Sequence, residues 1–269
     1  MIHPSFSNSY FQDKVGKEYP CPLCDIGLIE LQSTDFSFPH QDFKEEITGY
    51  DDEGQEYYYD LWDHPGSITG TFTAKFMCNR SQCKAIVSAC GKSNTVEEAD
   101  PYYGSEVILI HYPKYFQPTL KVFSIPKACP HAISLVIHEC FELLLLNPSS
   151  CLNKIRIVLE LILDHLKVPR TKSNKSGKQS LHQRISYLEG AQEFKISKYL
   201  NAILALKWIG NAGSHDVSAK YVDALDGLQI LDLLVTAIFD ISDSRLVKII
   251  DLINEKKRLL KHEERNNLK

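Results

Sequence analysis

Four cysteines in the first third of the chain have the spacing expected of a metal site. Cys21 and Cys24 form a C-x-x-C pair, and Cys78 and Cys83 form a second, wider pair downstream. Two such pairs can aim four thiolates at one point, which suits tetrahedral zinc in a closed structural site that leaves no position for water or substrate. Loop-closure entropy grows only logarithmically with loop length, so the long spacer between the pairs is tolerable. The sequence therefore predicts a structural Zn²⁺ ion held by these four residues.

Other interpretations of the cysteines stay open. They could be unpaired buried thiols or a redox-active C-x-x-C motif, although a thioredoxin-like motif needs a βαβ context that this segment lacks. Cys90 could replace Cys83 as a ligand, but the alternating pattern that ends at Cys90 is typical of a strand. The other three cysteines lie on or beside apolar helical stripes, where a packed thiol is the ordinary role: Cys129, Cys140 and Cys151.

A short basic loop is the second feature that could do chemistry. Arg170, Lys172, Lys175 and Lys178 lie in a Ser- and Gly-containing stretch with no acidic residue between them. Cations without neighbouring acids are expected at a phosphate contact, so the loop predicts nucleic-acid binding. The alternative is a solvated flexible loop. Residues 35–63, in contrast, are strongly acidic and favour a protein partner.

The bulk composition limits where the protein works. With 43% hydrophobic and 24% charged residues among 269, the chain has the composition of an ordinary globular protein. Its first residues have no basic start followed by an apolar run, which argues against a secretory signal. Charged residues interrupt the longest apolar stretches, so no membrane helix is expected. We therefore predict a cytoplasmic protein, and a reducing cytoplasm favours metal-bound thiols over disulfides.

The elements that must position these residues change in character near residue 125. Before it, β-prone segments such as 67–76 and 107–110 lie among Gly, Pro and Asp. After it, apolar residues recur at helical spacing. The predicted fold class is α+β, with a small β-rich, four-cysteine zinc-ribbon module in residues 1–125 and an all-α bundle in residues 126–269. Proline, serine and glycine signals place the helices at about residues 130–147, 150–168, 180–190, 196–209, 219–241 and 243–262.

The helical part resembles the bacterial family catalogued as domain of unknown function 4145. The resemblance covers roughly residues 118–240. It is carried by an ordered set of landmarks: Ile125-Pro126, Pro130-His131, Glu139, the helix 155–160, and the stretches 181–185 and 210–215. A zinc ribbon ahead of the helices is a common companion in such proteins. They look like members of the HEPN superfamily, whose helical bundles commonly dimerise and include metal-independent RNases as well as binders of nucleotides, RNA or proteins.

The resemblance also implies a catalytic set. Active members carry an arginine, a polar residue and then a histidine, because cleavage of RNA without metal needs a general base and a cation for the phosphate. Asn211 and His215 match the polar residue and the histidine. Gly210 occupies the place of the arginine, and Lys207 is the nearest upstream cation. The structural alternative is that Gly210 ends the preceding helix and the residues up to Asp216 form a turn.

The residues and the resemblance together predict a zinc-containing, HEPN-like protein that binds RNA or a nucleotide, and the resemblance implies a place in a bacterial defence or stress-response system. One alternative is a metal-independent endoribonuclease that uses His215 and Lys207. Another is a non-catalytic dimeric scaffold or regulatory subunit that binds a protein partner. The wide apolar stripe of the helix predicted over 219–241, together with the resemblance, predicts a homodimer.

Overall fold

A computed structural model shows an antiparallel sheet followed by helices, an α+β arrangement overall. It describes residues 2–12, 17–37, 47–50, 56–58, 69–100, 104–171, 177–190, 200–215 and 219–240. The structural statements below concern these residues.

Six of the described strands form one curled antiparallel sheet, in the order β1-β8-β7-β6-β3-β2, and β4 pairs with β5 separately. The strands are β1 (Phe11–Gln12), β2 (Tyr19–Pro20), β3 (Leu28–Ser37), β4 (Ile47–Tyr50), β5 (Glu56–Tyr58), β6 (Thr69–Cys78), β7 (Ile86–Asp100) and β8 (Gly104–Gln117). A short 3₁₀ helix, Pro4–Ser7, precedes them.

One face of the large sheet is buried, and its aromatic side chains form the core of this part. Along β6, Phe72, Ala74 and Phe76 point inward, while the residues between them are exposed. The ring of Phe11, from the edge strand β1, lies 5.5 Å from Phe72 and 5.6 Å from Phe76, edge to face in both cases. This period of two fixes which residues of β6 face the core, and it places Cys78 on the same buried face.

The prediction of a small zinc-ribbon module is wrong, and so is the fold class as far as it depended on that module. In its place is a six-stranded sheet. Its two longest strands, β7 and β8, pair with each other from Ser88↔Gln117 to Asp100↔Gly104. Of the two β-prone segments, residues 69–76 lie in β6 and residues 107–110 lie in β8, while residues 67 and 68 fall outside the described part of the chain. The rest of the sheet was missed because β7 carries polar, Gly- and Asn-containing sequence that gains stability only by pairing with distant strands.

Five helices follow the sheet in the described part of the chain, close to five of the six predicted positions. They are α1 (His131–Leu146), α2 (Pro148–His165), α3 (Leu181–Gly190), α4 (Leu200–His215) and α5 (Tyr221–Phe239). The sixth, predicted over 243–262, lies outside the described residues. No helix in the described part combines the length and apolar character needed to cross a membrane.

Side-chain caps mark the starts of α2 and α3. Ser180 and Gln183 form the reciprocal bonds of a capping box before α3, at 3.1 and 3.3 Å, which confirms the predicted start. At α2 the cap is Asn147, whose Oδ1 accepts from the Ser150 backbone N–H at 3.0 Å. Ser149 and Ser150, whose type also suits a cap, therefore lie inside the first turn of α2.

α2 is the central helix and α5 packs beside it. The inward residues of α2 are fully buried: Ile155, Val158, Leu159, Ile162 and Leu163. Most of the α5 stripe is buried within the same chain, including Leu225, Leu228, Leu231, Leu234 and Val235. The bundle itself therefore uses the apolar surface from which a dimer was predicted, and the homodimer stays a prediction.

Candidate metal centre and polar helix face

The four predicted cysteines meet at one end of the sheet. Their Sγ atoms all lie within 4.8 Å of one another. The Sγ atoms of Cys21 and Cys83 are 3.8 Å apart, and so are those of Cys24 and Cys78. A tetrahedral zinc ion with Zn–S bonds of about 2.3 Å requires sulfur–sulfur separations of about 3.8 Å. The four thiols could therefore hold a metal ion, and their spacing is compatible with zinc.

Two backbone knuckles of the same design bring the thiols together. In the first, the Cys21 N–H donates to the Gly27 carbonyl at 2.8 Å, and Asp25 has a positive φ of 56°. In the second, the Cys78 N–H donates to the Ala85 carbonyl at 2.8 Å, and Lys84 has a positive φ of 50°. In each case the left-handed residue directly follows the second cysteine of its pair. The C-x4-C pair thus forms the same kind of turn as the C-x-x-C pair.

Local groups around the thiols have opposite effects on their ionisation. Backbone N–H groups of Gly27 and Ile26 lower the pKa of Cys24 to about 6, with the Gly27 nitrogen 3.3 Å from Sγ. Burial raises the pKa of Cys78 to about 12. Coordination to a divalent cation deprotonates a thiol outright, which offsets the cost of burying it. Gly27 is also required sterically, since a Cβ atom there would lie 2.6 Å from the Cys78 Sγ.

The other cysteines do not take part in this cluster. Cys90 lies on β7 with its side chain exposed, as the strand interpretation predicted. Cys140 and Cys151 are fully buried in the helical core, where the Cys151 thiol lies 3.3 Å from the Cys140 carbonyl oxygen. Within the described residues the four-cysteine cluster is the one group of three or more potential ligands close enough to share a metal ion.

The segment predicted as a turn is helical. α4 continues through Gly210 to His215, so Gly210 does not end a helix. It lies where α4 crosses α2 closely, and a Cβ atom there would lie 2.8 Å from the Arg156 Cβ. Glycine is kept at this position by helix packing, a tertiary contact that overrides its low helix propensity. His215 is the last residue of α4, and its side chain lies outside the described part of the structure.

Lys207 and Trp208 form the first half of a polar surface on α4. The Lys207 Nζ lies 3.2 Å from the His182 Nδ1 and 3.9 Å from the centroid of the Trp208 ring. Lys207 is almost completely buried, whereas 65% of Trp208 is exposed. Trp208 was not predicted from the sequence. It could have been found from the helical period of α4, because it does not fall among the buried positions Ile203, Leu206 and Gly210.

Arg156 and Asn211 form the second half. The Arg156 Nη1, on α2, donates to the Asn211 Oδ1 at 2.7 Å. Asn211 lies one helical turn after Lys207 on α4. The Arg156 Nε lies 3.6 Å from the Glu160 carboxylate, the ion pair expected at i and i+4. Half-buried Arg156 thus supplies a cation beside Asn211, whereas Gly210 occupies the position where the resemblance implies an arginine. We call Arg156, Lys207, Trp208 and Asn211 the α4 polar face.

The basic loop is only partly as predicted. Arg170 makes a two-pronged ion pair with Asp164, so one of the four predicted nucleic-acid contacts already has a partner. An antiparallel bridge between Thr171 and Lys178 closes the base of the loop. Lys172 and Lys175 lie outside the described residues. Nucleic-acid binding by the four residues stays a prediction.

The pairing of Asp164 predicts a dependence of stability on pH. Arg170 first, and Arg184 second, hold the pKa of Asp164 below its ordinary value. The unfolded chain therefore binds this proton at a higher pH than the folded chain, and the stabilisation falls as the pH drops below about 4. We expect the urea midpoint to fall between pH 5 and pH 3, and to fall less in Asp164→Asn. An equal fall in both proteins would contradict this assignment.

Two family models match the chain. Residues 138–262 match a family described as a domain of unknown function (DUF4145). This match confirms the resemblance drawn from the helical landmarks, although it begins and ends later than predicted. Residues 9–121 match a second family of unknown function (DUF8608), which the sequence analysis did not anticipate. No curated protein and no solved structure matches the chain.

Proposed function

We propose that the protein is a zinc-containing RNA-binding protein. In this proposal Cys21, Cys24, Cys78 and Cys83 hold a structural Zn²⁺ ion, and the α4 polar face contacts RNA. The observation that carries the RNA part is the exposed Trp208 with the Lys207 ammonium over its ring. The resemblance to the helical family extends the proposal to a bacterial defence or stress-response system.

Trp208 has the properties of a stacking platform for a nucleobase. It is the most exposed large hydrophobic residue among the described helices, at 65%. Every base has a π-face, and stacking on an aromatic side chain is worth roughly 1–3 kcal/mol per base. The Lys207 ammonium lies 3.9 Å from the ring centroid and holds the ring in place by a cation–π contact.

Arg156 supplies a phosphate contact next to this platform. Its guanidinium is a planar fork that remains charged at all relevant pH values and matches phosphate oxygens in two-pronged contacts. One prong is held by Asn211, and the side chain remains 33% exposed. An aromatic platform beside cations that follow the phosphate backbone is the arrangement used by proteins that bind single-stranded nucleic acid.

In this proposal the basic loop also contacts RNA, which gives binding a salt dependence. We expect binding of a fluorescent single-stranded RNA, followed by anisotropy, to weaken steeply with salt. Replacing Lys172, Lys175 and Lys178 with alanine should reduce the slope of log affinity against log salt by about two. Arg170→Ala is the matched control and should change the slope little, because Asp164 already neutralises Arg170. An unchanged slope in the triple variant would exclude the loop from the interface.

A metal-independent endoribonuclease is the second candidate function, and one observation favours it. Arg156 lies against Asn211, one turn before His215, so a cation is present near the residues that RNA cleavage would use. His215→Ala should then lower cleavage in EDTA by about a hundredfold to ten-thousandfold. We expect instead that RNA stays intact with either protein, because Lys207 is buried against His182 and Trp208.

A homodimer is part of the proposal, and a protein scaffold is its alternative. The outer side of α5 exposes Val222 and Leu233, at 52% and 55%, beyond the stripe that the bundle buries. Light scattering at micromolar concentration measures the assembly. A mass near 30.6 kDa throughout that range would exclude a stable dimer. Absence of RNA binding even at low salt would leave the protein-partner alternative.

A further inference from the structure

A cleft separate from the α4 polar face lies between the first cysteine knuckle and α1. It has a volume of about 420 Å³, within the range of small-ligand sites. Its polar lining comes from three elements: Asp25 of the knuckle, Lys121, Ser124 and Lys127 of the linker, and His131, Ser134 and His138 of α1. Ile125 and Pro126 contribute apolar surface.

The charges around the cleft leave it positive. Lys121 and Asp25 form an ion pair at 2.7 Å and neutralise each other. Lys127 is exposed and makes no hydrogen bond or ion pair within the described residues. The first turn of α1 contains no acidic residue, and Pro130 provides no side-chain cap. The positive end of a 16-residue helix therefore faces the cleft together with an unpaired lysine.

The donors around the cleft suit a phosphate group better than a metal ion. Although the lining includes Asp25, Cys129 and two histidines, they do not bring three ligand atoms close enough to share a cation. Serine hydroxyls, a lysine ammonium and free backbone N–H groups at a helix start are all hydrogen-bond donors to an anion. A terminal phosphate offers three acceptor oxygens and up to two negative charges.

We propose that this cleft binds a terminal phosphate, carried by a small phosphorylated ligand or by the 5′ end of an RNA. Lys127 and His131 bind the phosphate oxygens, together with the first N–H groups of α1. Ile125 and Pro126 pack against the group that carries the phosphate. The cleft has its own residues and its own ligand chemistry, so the inference does not depend on RNA binding by the α4 polar face.

Calorimetry at low salt tests the proposal with three probes: inorganic pyrophosphate, a 5′-phosphorylated RNA octamer, and the same octamer with a 5′-hydroxyl. We expect pyrophosphate to bind, and His131→Glu and Lys127→Glu each to weaken it by about tenfold or more. A glutamate in the first turn stabilises a helix, so loss of binding in His131→Glu cannot be explained by unfolding of α1. Lys75→Glu, on the exposed face of β6, is the matched control and should bind normally.

The RNA probes distinguish the two sources of the phosphate. Tighter binding of the 5′-phosphorylated octamer, lost in His131→Glu but not in Trp208→Ala, would assign the cleft to RNA ends. Pyrophosphate binding without that preference would assign it to a small ligand. The proposal is overturned if neither phosphate probe binds more tightly to the wild type than to His131→Glu. That result leaves Trp208-dependent RNA binding intact, so the failure of one proposal does not hide the other.

Discussion

Replacing Cys78 with serine is expected to abolish zinc binding at the proposed site and to destabilise the end of the sheet where the two knuckles meet. Cys78 is fully buried, ends β6 opposite Ile29 of β3, and lies 3.8 Å from Cys24 between Sγ atoms. Structural zinc contributes roughly 10–16 kcal/mol in small zinc-binding peptides, as much as the whole stability of many domains. Elemental analysis gives the metal content per chain, and thermal unfolding gives the loss of stability.

The matched control is Cys90→Ser. Cys90 is exposed on β7, the strand that pairs with β6, and lies outside the cluster of ligands. This variant should keep one zinc per chain and the unfolding temperature of the wild type. The metal assignment would fail if Cys78→Ser kept a full equivalent of zinc. It would also fail if freshly purified, unoxidised wild type held less than about half an equivalent.

Arg184→Ala is expected to lower the free energy of unfolding of the helical part by about 1–3 kcal/mol, because buried hydrogen bonds are lost while Arg170 still pairs with Asp164. The Arg184 side chain is only 4% exposed and donates to the Asp164 carboxylate at 2.7 Å. It also donates to the Val168 carbonyl at 3.0 Å and the Glu160 carbonyl at 3.4 Å. Removing it leaves the Val168 carbonyl without this donor and removes the hydrogen bonds that join α3 to the end of α2. Urea unfolding followed by circular dichroism at 222 nm measures the change.

Arg170→Ala provides the comparison, because Arg170 contacts the same carboxylate from solvent. Its side chain is 66% exposed, and exposed ion pairs contribute little to stability. The stability loss should therefore be much smaller than in Arg184→Ala. Equal losses in the two variants would show that burial of Arg184 is not what makes the contact important. Arg184 lies within 181–185, one of the landmarks of the resemblance. Its contacts with Asp164 and Val168 give this stretch a structural role in the helical part.

The four-cysteine cluster, which could hold a metal ion, could be predicted from the sequence because the spacing within each cysteine pair is local information. Cysteines in reducing surroundings have few roles, and the pair Cys21–Cys24 already defines a knuckle. The sheet that carries the knuckles could not be predicted in the same way. Strands β3, β6 and β7 pair over long sequence separations, and a polar strand such as β7 has no strong pattern of its own.

In the helical part, too, features that depend on local sequence could be predicted, whereas features that depend on packing between helices could not. Helix positions followed from apolar spacing and from caps such as Ser180, which the structure confirms. Gly210 was misinterpreted because a glycine after an apolar stripe ordinarily ends a helix. The reason for a glycine at position 210 is the close approach of Arg156 on α2, which leaves no room for a side chain and which only the packed structure shows. The same packing brings Arg156 to Asn211, a contact between residues far apart in sequence.

Trp208 fluorescence during titration with RNA is the most direct test of the proposed function. The chain contains two tryptophans, so a Trp62→Phe background leaves Trp208 as the sole indole. We expect saturable quenching by single-stranded RNA, with a midpoint equal to that from anisotropy. Arg156→Ala should shift both midpoints to higher RNA concentration. RNA binding by anisotropy with unchanged Trp208 emission would contradict the account, since the RNA would then lie away from the α4 polar face.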